Sequence, residues 1–492
     1  MGTLGRKALS GVIWSTAETF GTRVVNLASF LVLARVLSKE EFGLVALAGV
    51  YISFLELFVK VGVTDVVVQR KHLLDIEKDT AYWTAAALGV IAFAVSVLIA
   101  PIAAEWSNEP EIVQIIWWLA IGIIPLSLSR VQQGLLIRNL KFRSLAIRNV
   151  LSTFSGAAVG VTMALNGFGV WSLVGQQLTS KFVEFLVLYW VTRWFPALKF
   201  SKSSFQDLWH YSSRILGVNF LNFVASNTDR FLIGQLFGIS SLGVYEIGRR
   251  IIEVIIDISR VTISRVAFAA FSRMQSDINR LVESSFFITR IAALIGFPAM
   301  GLFMFFGGEI TILIFGEKWK EAGMICQIVA LSGLVRLAVL TLPALLKAKG
   351  HPGSLLFSSA VQVAASVVMA LALVSFGLQA FTLGWASGQL AFFVMLLYFT
   401  KRLINFPVKR LFVFYVAPLG AMLCSWVSVK ALEGLYPESW LQLPYSVGIH
   451  GAVFTTLYLI FVLLFGFRAI KSVWVELDSL LVKGKKVPGA DF

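Results

Sequence analysis

The sequence predicts an all-α polytopic membrane protein with about 14 transmembrane helices, forming two six-helix bundles around a central cavity plus two C-terminal helices. Of the 492 residues, 58% are hydrophobic and only 14% are charged, whereas soluble domains carry roughly 25% charged residues. Many apolar segments reach the roughly 20 residues that a membrane helix needs. The pattern of these segments repeats after six spans. These three observations exclude a soluble enzyme of several domains.

The spans follow from apolar run length along the chain. Their approximate bounds are 11–37, 42–63, 80–104, 112–136, 146–165, 169–192, 211–237, 242–265, 284–306, 323–346, 354–375, 380–400, 411–432 and 445–467. Turn signals separate several of them, at 166–169, 238–241, 350–353 and Phe376-Gly377. The first segment is longer than the roughly 7–15 apolar residues of a signal peptide, so we expect it to be retained as a span.

The basic residues predict the orientation of these spans. The net charge is +15, from 42 Lys and Arg against 27 Asp and Glu. With the N-terminus in the cytoplasm, 24 basic residues fall in cytoplasmic segments and three, Lys39, Lys318 and Lys320, fall outside. Cytoplasmic loops of membrane proteins are rich in Lys and Arg. We therefore expect a membrane protein with both termini in the cytoplasm and no nucleic-acid partner.

Several kinds of chemistry are disfavoured by the sequence. Two cysteines and four scattered histidines form no disulfide framework and show no metal-ligand spacing. A G-x-x-x-x-G-K-[ST] phosphate-binding loop is absent from the sequence. The predicted external loops are mostly four to seven residues long, whereas membrane glycosyltransferases and polymerases usually carry catalytic groups on sizeable loops. We expect no catalytic residues, no metal and no cofactor.

An internal duplication organises the chain. The segments 34–43 and 234–243 both join two spans through a short external turn that ends in Gly, at an offset of 200 residues. Six spans are an even number, so the two halves are expected to be parallel repeats, an arrangement found in transporters. The predicted domains are 1–200 and 201–405 for the two bundles, 406–470 for two additional spans and 471–492 for a cytoplasmic tail.

Fifteen Lys and Arg residues remain within or beside the spans. Charge inside a membrane usually faces a cavity or a partner, and helical periodicity places many of these residues on polar faces of spans one, seven and eight. We expect the cavity to be lined by Arg23, Asn26, Asn222, Asp229, Arg230, Arg249, Arg250, Arg260 and Arg290. Structural ion pairing is the alternative for span eight, where the signs alternate. Arg148 and Arg336 are expected to snorkel towards the cytoplasm.

Three acidic residues on these faces are predicted sites for proton or sodium coupling, namely Glu18, Glu253 and Asp257. Buried carboxylates can take up and release protons in a useful pH range. The excess of arginine over acid points to an anionic cargo, because guanidinium groups bind phosphate through two parallel hydrogen bonds.

Four sequence motifs resemble the polysaccharide-transporter family, which contains the Wzx-type flippases and belongs to the multidrug/oligosaccharidyl-lipid/polysaccharide exporter superfamily. The motifs are the run 9–14 (LSGVIW), the segment 33–43 (LARVLS-x-x-x-FG), Thr228-Asp229-Arg230 with Ile233-Gly234, and Leu242-Gly243-x-Tyr245. The N-terminal half resembles the colanic-acid-exporter branch most. The resemblance implies two bundles of six helices, a V-shaped cavity and two extra C-terminal helices.

The resemblance also implies a function. Members of this family move polyprenyl-diphosphate-linked oligosaccharides from the cytoplasmic to the periplasmic leaflet, and we expect alternating access as the mechanism. The expected partners are this lipid-linked oligosaccharide, the bilayer, and polysaccharide polymerase and assembly proteins. Three alternatives stay open at this point: a drug or small-metabolite exporter of the same superfamily, a membrane glycosyltransferase or polymerase, and a structural scaffold.

Overall fold

The computed structural model describes residues 3–60, 63–70, 72–273, 278–433 and 445–483. Throughout these ranges the regular structure is helical, with seventeen α-helices and two short 3-10 turns. The chain divides into two compact units, Met1–Glu246 and Ile247–Phe492, which we call the N-terminal and C-terminal units. The predicted domain boundaries at 200, 405 and 470 rest on the sequence repeat and stay predictions; residues 484–492 of the predicted tail lie outside the described ranges.

The helices follow the apolar segments of the sequence in order. They are α1 Thr3–Val36, α2 Lys39–Val59, α3 Val63–Gln69, α4 Asp75–Ser107, α5 Ile112–Ile121, α6 Ile123–Leu128, α7 Arg130–Arg138, α8 Phe142–Leu165, α9 Trp171–Thr192, α10 Lys202–Arg273, α11 Ile278–Phe315, α12 Lys320–Ala338, α13 Leu342–Ala348, α14 Pro352–Ala372, α15 Leu378–Ile404, α16 Val408–Glu433 and α17 Tyr445–Lys483.

Helix α10 consists of two arms that meet at Gly238. This residue has φ 80° and ψ 175°, a backbone conformation that is essentially restricted to glycine. We call 202–237 the first arm and 239–273 the second arm. Positive φ values also occur at Gly167, Gly350 and Gly377. The turns predicted at 166–169, 238–241, 350–353 and 376–377 are therefore confirmed.

Ten described helices are long and apolar enough to cross a membrane, or eleven if the bent pair Ile112–Leu128 and Arg130–Arg138 counts as one span. The region Asn219–Asp257 counts once in this number although it contains the reversal at Gly238. Helices α8 and α9 have 24 and 22 residues but do not meet the same criterion. A polytopic all-helical membrane protein is confirmed, and the number of 14 spans stays a prediction.

Close helix packing in the N-terminal unit depends on glycine. On α8, Gly156 and Gly160 face α9, and a Cβ atom at Gly156 would lie 2.6 Å from the carbonyl oxygen of Gln176. Small residues let membrane helices approach closely enough for van der Waals packing to hold them together. Helix α1 packs on the same helix α8. This contact brings the polar residues of α1, α8 and α9 into one region.

The connection between α9 and α10 is tied to α4 by three hydrogen bonds. The Asp79 carboxylate accepts from the Ala197 backbone N–H at 3.0 Å, and the Trp83 indole N–H donates to the Ala197 carbonyl at 2.9 Å. Thr80 Oγ1 accepts from the Ser201 backbone N–H at 3.0 Å. Backbone groups that leave a helix need such partners. The first arm of α10 consequently starts from a fixed point in the N-terminal unit.

The C-terminal unit has one large apolar core. Residues of α10–α17 form this core, and α11 contributes to it from its start to its end. Phe305 stacks on Trp426 with ring centroids 4.9 Å apart, and the Tyr415 hydroxyl donates to the carbonyl of Ala338. Helices α16 and α17 pack on each other and on α11. The two additional C-terminal helices thus belong to this unit.

Candidate functional site

A polar cavity lies inside the N-terminal unit, among α2, α7 and the first arm of α10. Its volume is about 450 Å³. Its lining combines two cations, several amides and hydroxyls, and two apolar side chains: Ser53, Leu57, Lys60, Arg130, Asn219, Asn222, Phe223, Ser226 and Asn227. Among these described lining residues there is no carboxylate. The cavity wall is therefore positively charged and rich in hydrogen-bond donors.

Helix geometry explains why these side chains share a wall. Ser53 and Leu57 on α2 and Lys60, the C-cap residue of this helix, follow each other at intervals of four and three residues, and residues at this spacing lie on one face. On α7, Arg130 is the first residue, directly after a bend of 40° from the preceding helical segment. The dipole of α7 adds positive potential at its N-terminus, where Arg130 lies.

Arg130 presents an unusual donor to the cavity. Its Nη1 donates to Gln133 Oε1 at 3.3 Å, while its Nε is buried and has no hydrogen-bond partner among the described residues. A buried polar group without a partner costs free energy and suggests that a ligand or water completes its bonding. Among the lining residues, Arg130 is consequently the strongest candidate for contact with an anion.

Glu56 lies behind the cavity wall as a shared counter-ion for two lysines. Its carboxylate is bound by Lys60 Nζ at 2.6 Å from the same helix and by Lys181 Nζ at 2.5 Å from α9. The Glu56 side chain is 9% exposed, whereas that of Lys60 is 47% exposed. Because Glu56 is buried and the Lys60 side chain is about half exposed, Lys60 has room to turn towards a second anion while Lys181 continues to neutralise Glu56.

A second charged network joins α1, α8 and α9. Arg148 is 6% exposed. Its Nη1 atom forms an ion pair with Glu184 Oε1 at 3.0 Å, although the geometry is not that of a hydrogen bond. Arg148 Nε donates to Asn149 Oδ1 at 2.8 Å, and the Asn149 amide donates to Glu18. Arg130 interacts electrostatically with Glu56, Glu184 and Arg148. The two networks are therefore linked through Arg130.

The predicted site residues of the N-terminal unit have different environments. Asn222 lines the cavity. Arg23 and Asn26 are half-buried on α1, and neither belongs to the lining of the cavity. Glu18 is half-buried and belongs to the α1–α8–α9 network. Of the predicted site residues in this region, one lines the cavity and one belongs to the adjacent network.

Asp229 and Arg230 join the two arms of α10. The Tyr245 hydroxyl donates to Asp229 Oδ2 at 2.6 Å. Arg230 forms a bidentate pair with Glu246, with Nε to Oε1 at 2.6 Å and Nη2 to Oε2 at 3.0 Å. Both pairs span 16 residues across the reversal at Gly238. These contacts give Asp229 and Arg230 a structural role in the hairpin.

The remaining predicted residues belong to the C-terminal unit. Arg249 is buried and pairs with Glu253 one helical turn later, as the ion-pair alternative for this helix anticipated. Arg250 and Asp257 are half-buried on the same arm. Arg290 is buried on α11, with its guanidinium carbon 5.5 Å from the Phe414 ring centroid. The Arg260 side chain lies outside the part of the chain whose side chains the structure describes.

Sequence reasoning missed three cations of this region. It passed over Arg130 and Lys181, and it assigned Arg148 to the membrane boundary. The snorkelling expected for Arg148 is wrong, because α9 supplies the carboxylate of Glu184 and buries the guanidinium. A signal for Arg130 exists in the sequence, since Ser127, Ser129, Gln132 and Gln133 interrupt an apolar span around it.

The cavity can bind an anionic and polar group. Lys60 and Arg130 are donor-only cations, suited to phosphate or carboxylate oxygens. The neighbouring asparagine and serine side chains both donate and accept hydrogen bonds. The described residues include no group of three or more His, Cys, Asp or Glu side chains that could hold a metal ion. The described lining thus offers both cations and neutral hydrogen-bonding groups to a molecule in the cavity.

Comparison with known sequences identifies the family. Residues 32–324 match the family described as "Polysaccharide biosynthesis protein". The succinoglycan biosynthesis transport protein ExoT of Rhizobium meliloti is 28% identical over 346 residues, covering 70% of this chain and 69% of that protein. The lipopolysaccharide biosynthesis protein WzxC of Escherichia coli is 23% identical over 351 residues, covering 71% of each chain.

Solved structures with a similar fold are membrane transporters. The lipid II flippase MurJ in an inward closed conformation covers 93% of this chain and 100% of its own, with a TM-score of 0.74 and 14% identity. An inward-facing multidrug resistance transporter of the MATE family covers 78% of this chain and 94% of its own, with a TM-score of 0.60 and 17% identity. Similarity at these identities establishes the fold.

These comparisons confirm the family expected from the sequence motifs and the prediction that the chain is not an enzyme. Its relatives are transport and biosynthesis proteins, and its fold is that of flippases and exporters. The chain therefore belongs to the polysaccharide biosynthesis protein family and is a multi-pass membrane protein.

Proposed function

We propose that this protein is a flippase that moves a polyprenyl-diphosphate-linked oligosaccharide, such as a repeat unit of exopolysaccharide, capsule or O-antigen, from the cytoplasmic to the periplasmic leaflet. The single observation that carries the proposal is the acid-free, cationic cavity within a chain of this family. The similarity to transport protein ExoT and the shared fold with a lipid II flippase support it.

The chemistry of the cavity favours an anionic head group. Lys60 and Arg130 line the wall, and two acids of the neighbouring networks, Glu56 and Glu184, are already bound by cations. A diphosphate brings at least two negative charges and several acceptor oxygens, which match these donors. A hydrophobic cationic drug would meet like charge, which is costly in a site of low dielectric. The lining therefore favours the lipid-linked substrate over drug export.

Transport is proposed to proceed by alternating access, with the glycan head passing through the protein while the polyprenyl tail stays in lipid. Glu18, Glu253 and Asp257 remain the proposed residues for coupling to protons or sodium. Arg23, Arg249, Arg250, Arg260 and Arg290 remain proposed contacts for phosphate or acidic sugars. Fourteen spans, cytoplasmic termini and association with polymerase and assembly proteins are proposed on the same basis.

The proposal is tested by complementation in a strain whose own gene for this protein is deleted. The variant Lys60→Gln removes a lining cation, and Lys141→Gln removes an exposed cation from the start of α8, where its side chain caps nothing. Surface polysaccharide and lipid-linked oligosaccharide are measured at equal protein levels in the membrane. We expect cells with Lys141→Gln to regain surface polysaccharide. Cells with Lys60→Gln should instead accumulate the lipid-linked intermediate.

Equal restoration by both variants would contradict a role for the cationic cavity. Failure of the native gene to lower the level of lipid-linked intermediate in the deletion strain would contradict the flippase assignment itself. Protection of the cells against toxic cations, without any effect on polysaccharide, would favour the exporter alternative.

A further inference from the structure

The cavity has two walls of different chemistry. Lys60 on α2 and Arg130 on α7 supply all the formal charge of its described lining. The first arm of α10 supplies neutral groups, namely the amides of Asn219, Asn222 and Asn227, the hydroxyl of Ser226 and the ring of Phe223. The amides and the hydroxyl of this neutral wall both donate and accept hydrogen bonds, whereas an ionised phosphate group would use only their donors.

The neutral wall is a continuous stripe along the first arm of α10. Its members lie at positions 219, 222, 223, 226 and 227. Steps of three and four residues place all of them on one face of the helix. The stripe runs for more than two turns, so a molecule in the cavity can contact it at several points.

Polar side chains on this stripe are available to a ligand. Asn222 and Ser226 are exposed within a helical region that is apolar enough to span a membrane. Exposed polar groups in such a region are unfavourable in lipid and are found facing water-filled cavities. We therefore attribute their exposure to the cavity rather than to the lipid surface.

The base of the stripe is held in place. Asn227 is buried, and its amide donates to the Phe223 carbonyl at 3.0 Å while its Oδ1 accepts from Arg230 at 3.4 Å. The Phe223 ring packs at 5.5 Å from the ring of Phe54 on α2. A binding site gains affinity when its groups are fixed by neighbouring contacts before the ligand arrives. These contacts fix the stripe relative to the cationic wall.

We propose that this stripe is a sugar subsite, in which Asn219, Asn222 and Ser226 hydrogen-bond the hydroxyls of the first sugars while Arg130 and Lys60 bind the diphosphate. Sugar hydroxyls both donate and accept hydrogen bonds, as amides and hydroxyls do. The Phe223 ring offers an apolar surface for the C–H groups of a sugar ring. This inference rests on the proposed function and adds recognition of the glycan to it.

The test compares two probes on the full-length protein in lipid nanodiscs. One probe is farnesyl diphosphate, which has no sugar. The other is the lipid-linked oligosaccharide extracted from cells that lack this gene. The variant Asn219→Ala/Asn222→Ala/Ser226→Ala removes the stripe groups, Arg130→Gln removes a cation, and Gln379→Ala removes an exposed amide at the start of α15 as a matched control.

We expect the triple variant to weaken binding of the oligosaccharide probe about tenfold or more and to leave farnesyl diphosphate within about twofold, since loss of hydrogen bonds worth about 1.4 kcal/mol changes affinity tenfold. Arg130→Gln should weaken both probes, and Gln379→Ala neither. Equal weakening of both probes by the triple variant, or weakening of neither, would overturn the sugar subsite.

The two proposals fail in different ways. If Arg130→Gln leaves both probes unchanged while the triple variant still weakens only the oligosaccharide, the cationic diphosphate site of the proposed function is wrong and the sugar subsite stands. Correct insertion is checked by size-exclusion chromatography. Should the triple variant not fold, the single variant Asn222→Ala serves instead, with the same selective loss expected at about threefold or more.

Discussion

Gly43 and Gly243 make reciprocal contacts in the N-terminal unit. A Cβ atom at Gly43 would lie 1.9 Å from the carbonyl oxygen of Ile239, and one at Gly243 would lie 2.0 Å from the carbonyl oxygen of Lys39. The two glycines are 200 positions apart, and so are the contacted residues Lys39 and Ile239. The same offset aligns the two turn motifs in the sequence. Two copies of one motif therefore pack against each other through their glycines.

We expect Gly43→Ala and Gly243→Ala each to lower the stability of the protein. The added methyl group would lie far inside contact distance of a backbone carbonyl, which cannot rotate away, and overpacking typically costs about 1–3 kcal/mol. Thermal unfolding of the purified protein in detergent measures the effect.

The matched control is Gly49→Ala on the same helix α2, where a Cβ atom meets nothing within 4 Å. Alanine is the better helix former, so this variant should be neutral or slightly stabilising. Equal unfolding temperatures for Gly43→Ala and Gly49→Ala would show that the glycine contact is not tight.

The reversal of α10 provides a second test. Gly238 has φ 80° and ψ 175°, and a side chain in this region costs of order 1–3 kcal/mol. We expect Gly238→Ala to lower the unfolding temperature and the yield of inserted protein. Gly217→Ala in the first arm, where a Cβ atom has open space, should keep both at the native level. Native behaviour of Gly238→Ala would contradict the described turn.

The Arg230–Glu246 pair is predicted to stabilise the α10 hairpin. Both side chains are largely buried, at 27% and 14% exposure, and the pair is bidentate, so each single substitution takes a two-point partner away from a largely buried charge. Arg230→Met and Glu246→Gln should each cost about 1.5–3 kcal/mol, the range for hydrogen bonds to charged groups. The double variant should lower the free energy of unfolding by less than the sum of the two single effects. A coupling free energy near zero between the two substitutions would contradict a structural role for Arg230.

Glu56 is predicted to control how strongly the cavity binds anions. Glu56→Gln leaves Lys60 and Lys181 without their shared counter-ion, which raises the positive potential of the cavity wall. We expect tighter binding of farnesyl diphosphate, by about threefold or more, that weakens again with added salt. Glu105→Gln on the exposed face of α4 serves as the control. Weaker binding by Glu56→Gln than by the control would contradict this account of the carboxylate.

Local patterns in the sequence predicted much of the fold. Apolar run length located the helices, and glycine in turn contexts located reversals such as Gly238 and Gly377, because only glycine adopts these backbone conformations at low cost. The capping box of Ser38 and Glu41 at the start of α2 is likewise a local signal. These features depend on residues that are close together in the chain.

Long-range pairing was beyond the same reasoning. A helical wheel relates residues three or four positions apart, so it cannot pair Arg230 with Glu246 across a turn or Arg148 with Glu184 on the next helix. Arg130 escaped notice for a related reason. The bend after α6 breaks the helical phase of this segment, and a wheel drawn for one straight helix gives Arg130 no defined face.

The most direct test of the central claim is transfer of extracted lipid-linked oligosaccharide between the leaflets of proteoliposomes that contain the purified protein. We predict rapid transfer by the native protein and by Lys141→Gln, and transfer about tenfold or more slower by Arg130→Gln at equal reconstitution. Equal transfer rates for native protein and Arg130→Gln, or a native rate no faster than that of protein-free liposomes, would contradict it.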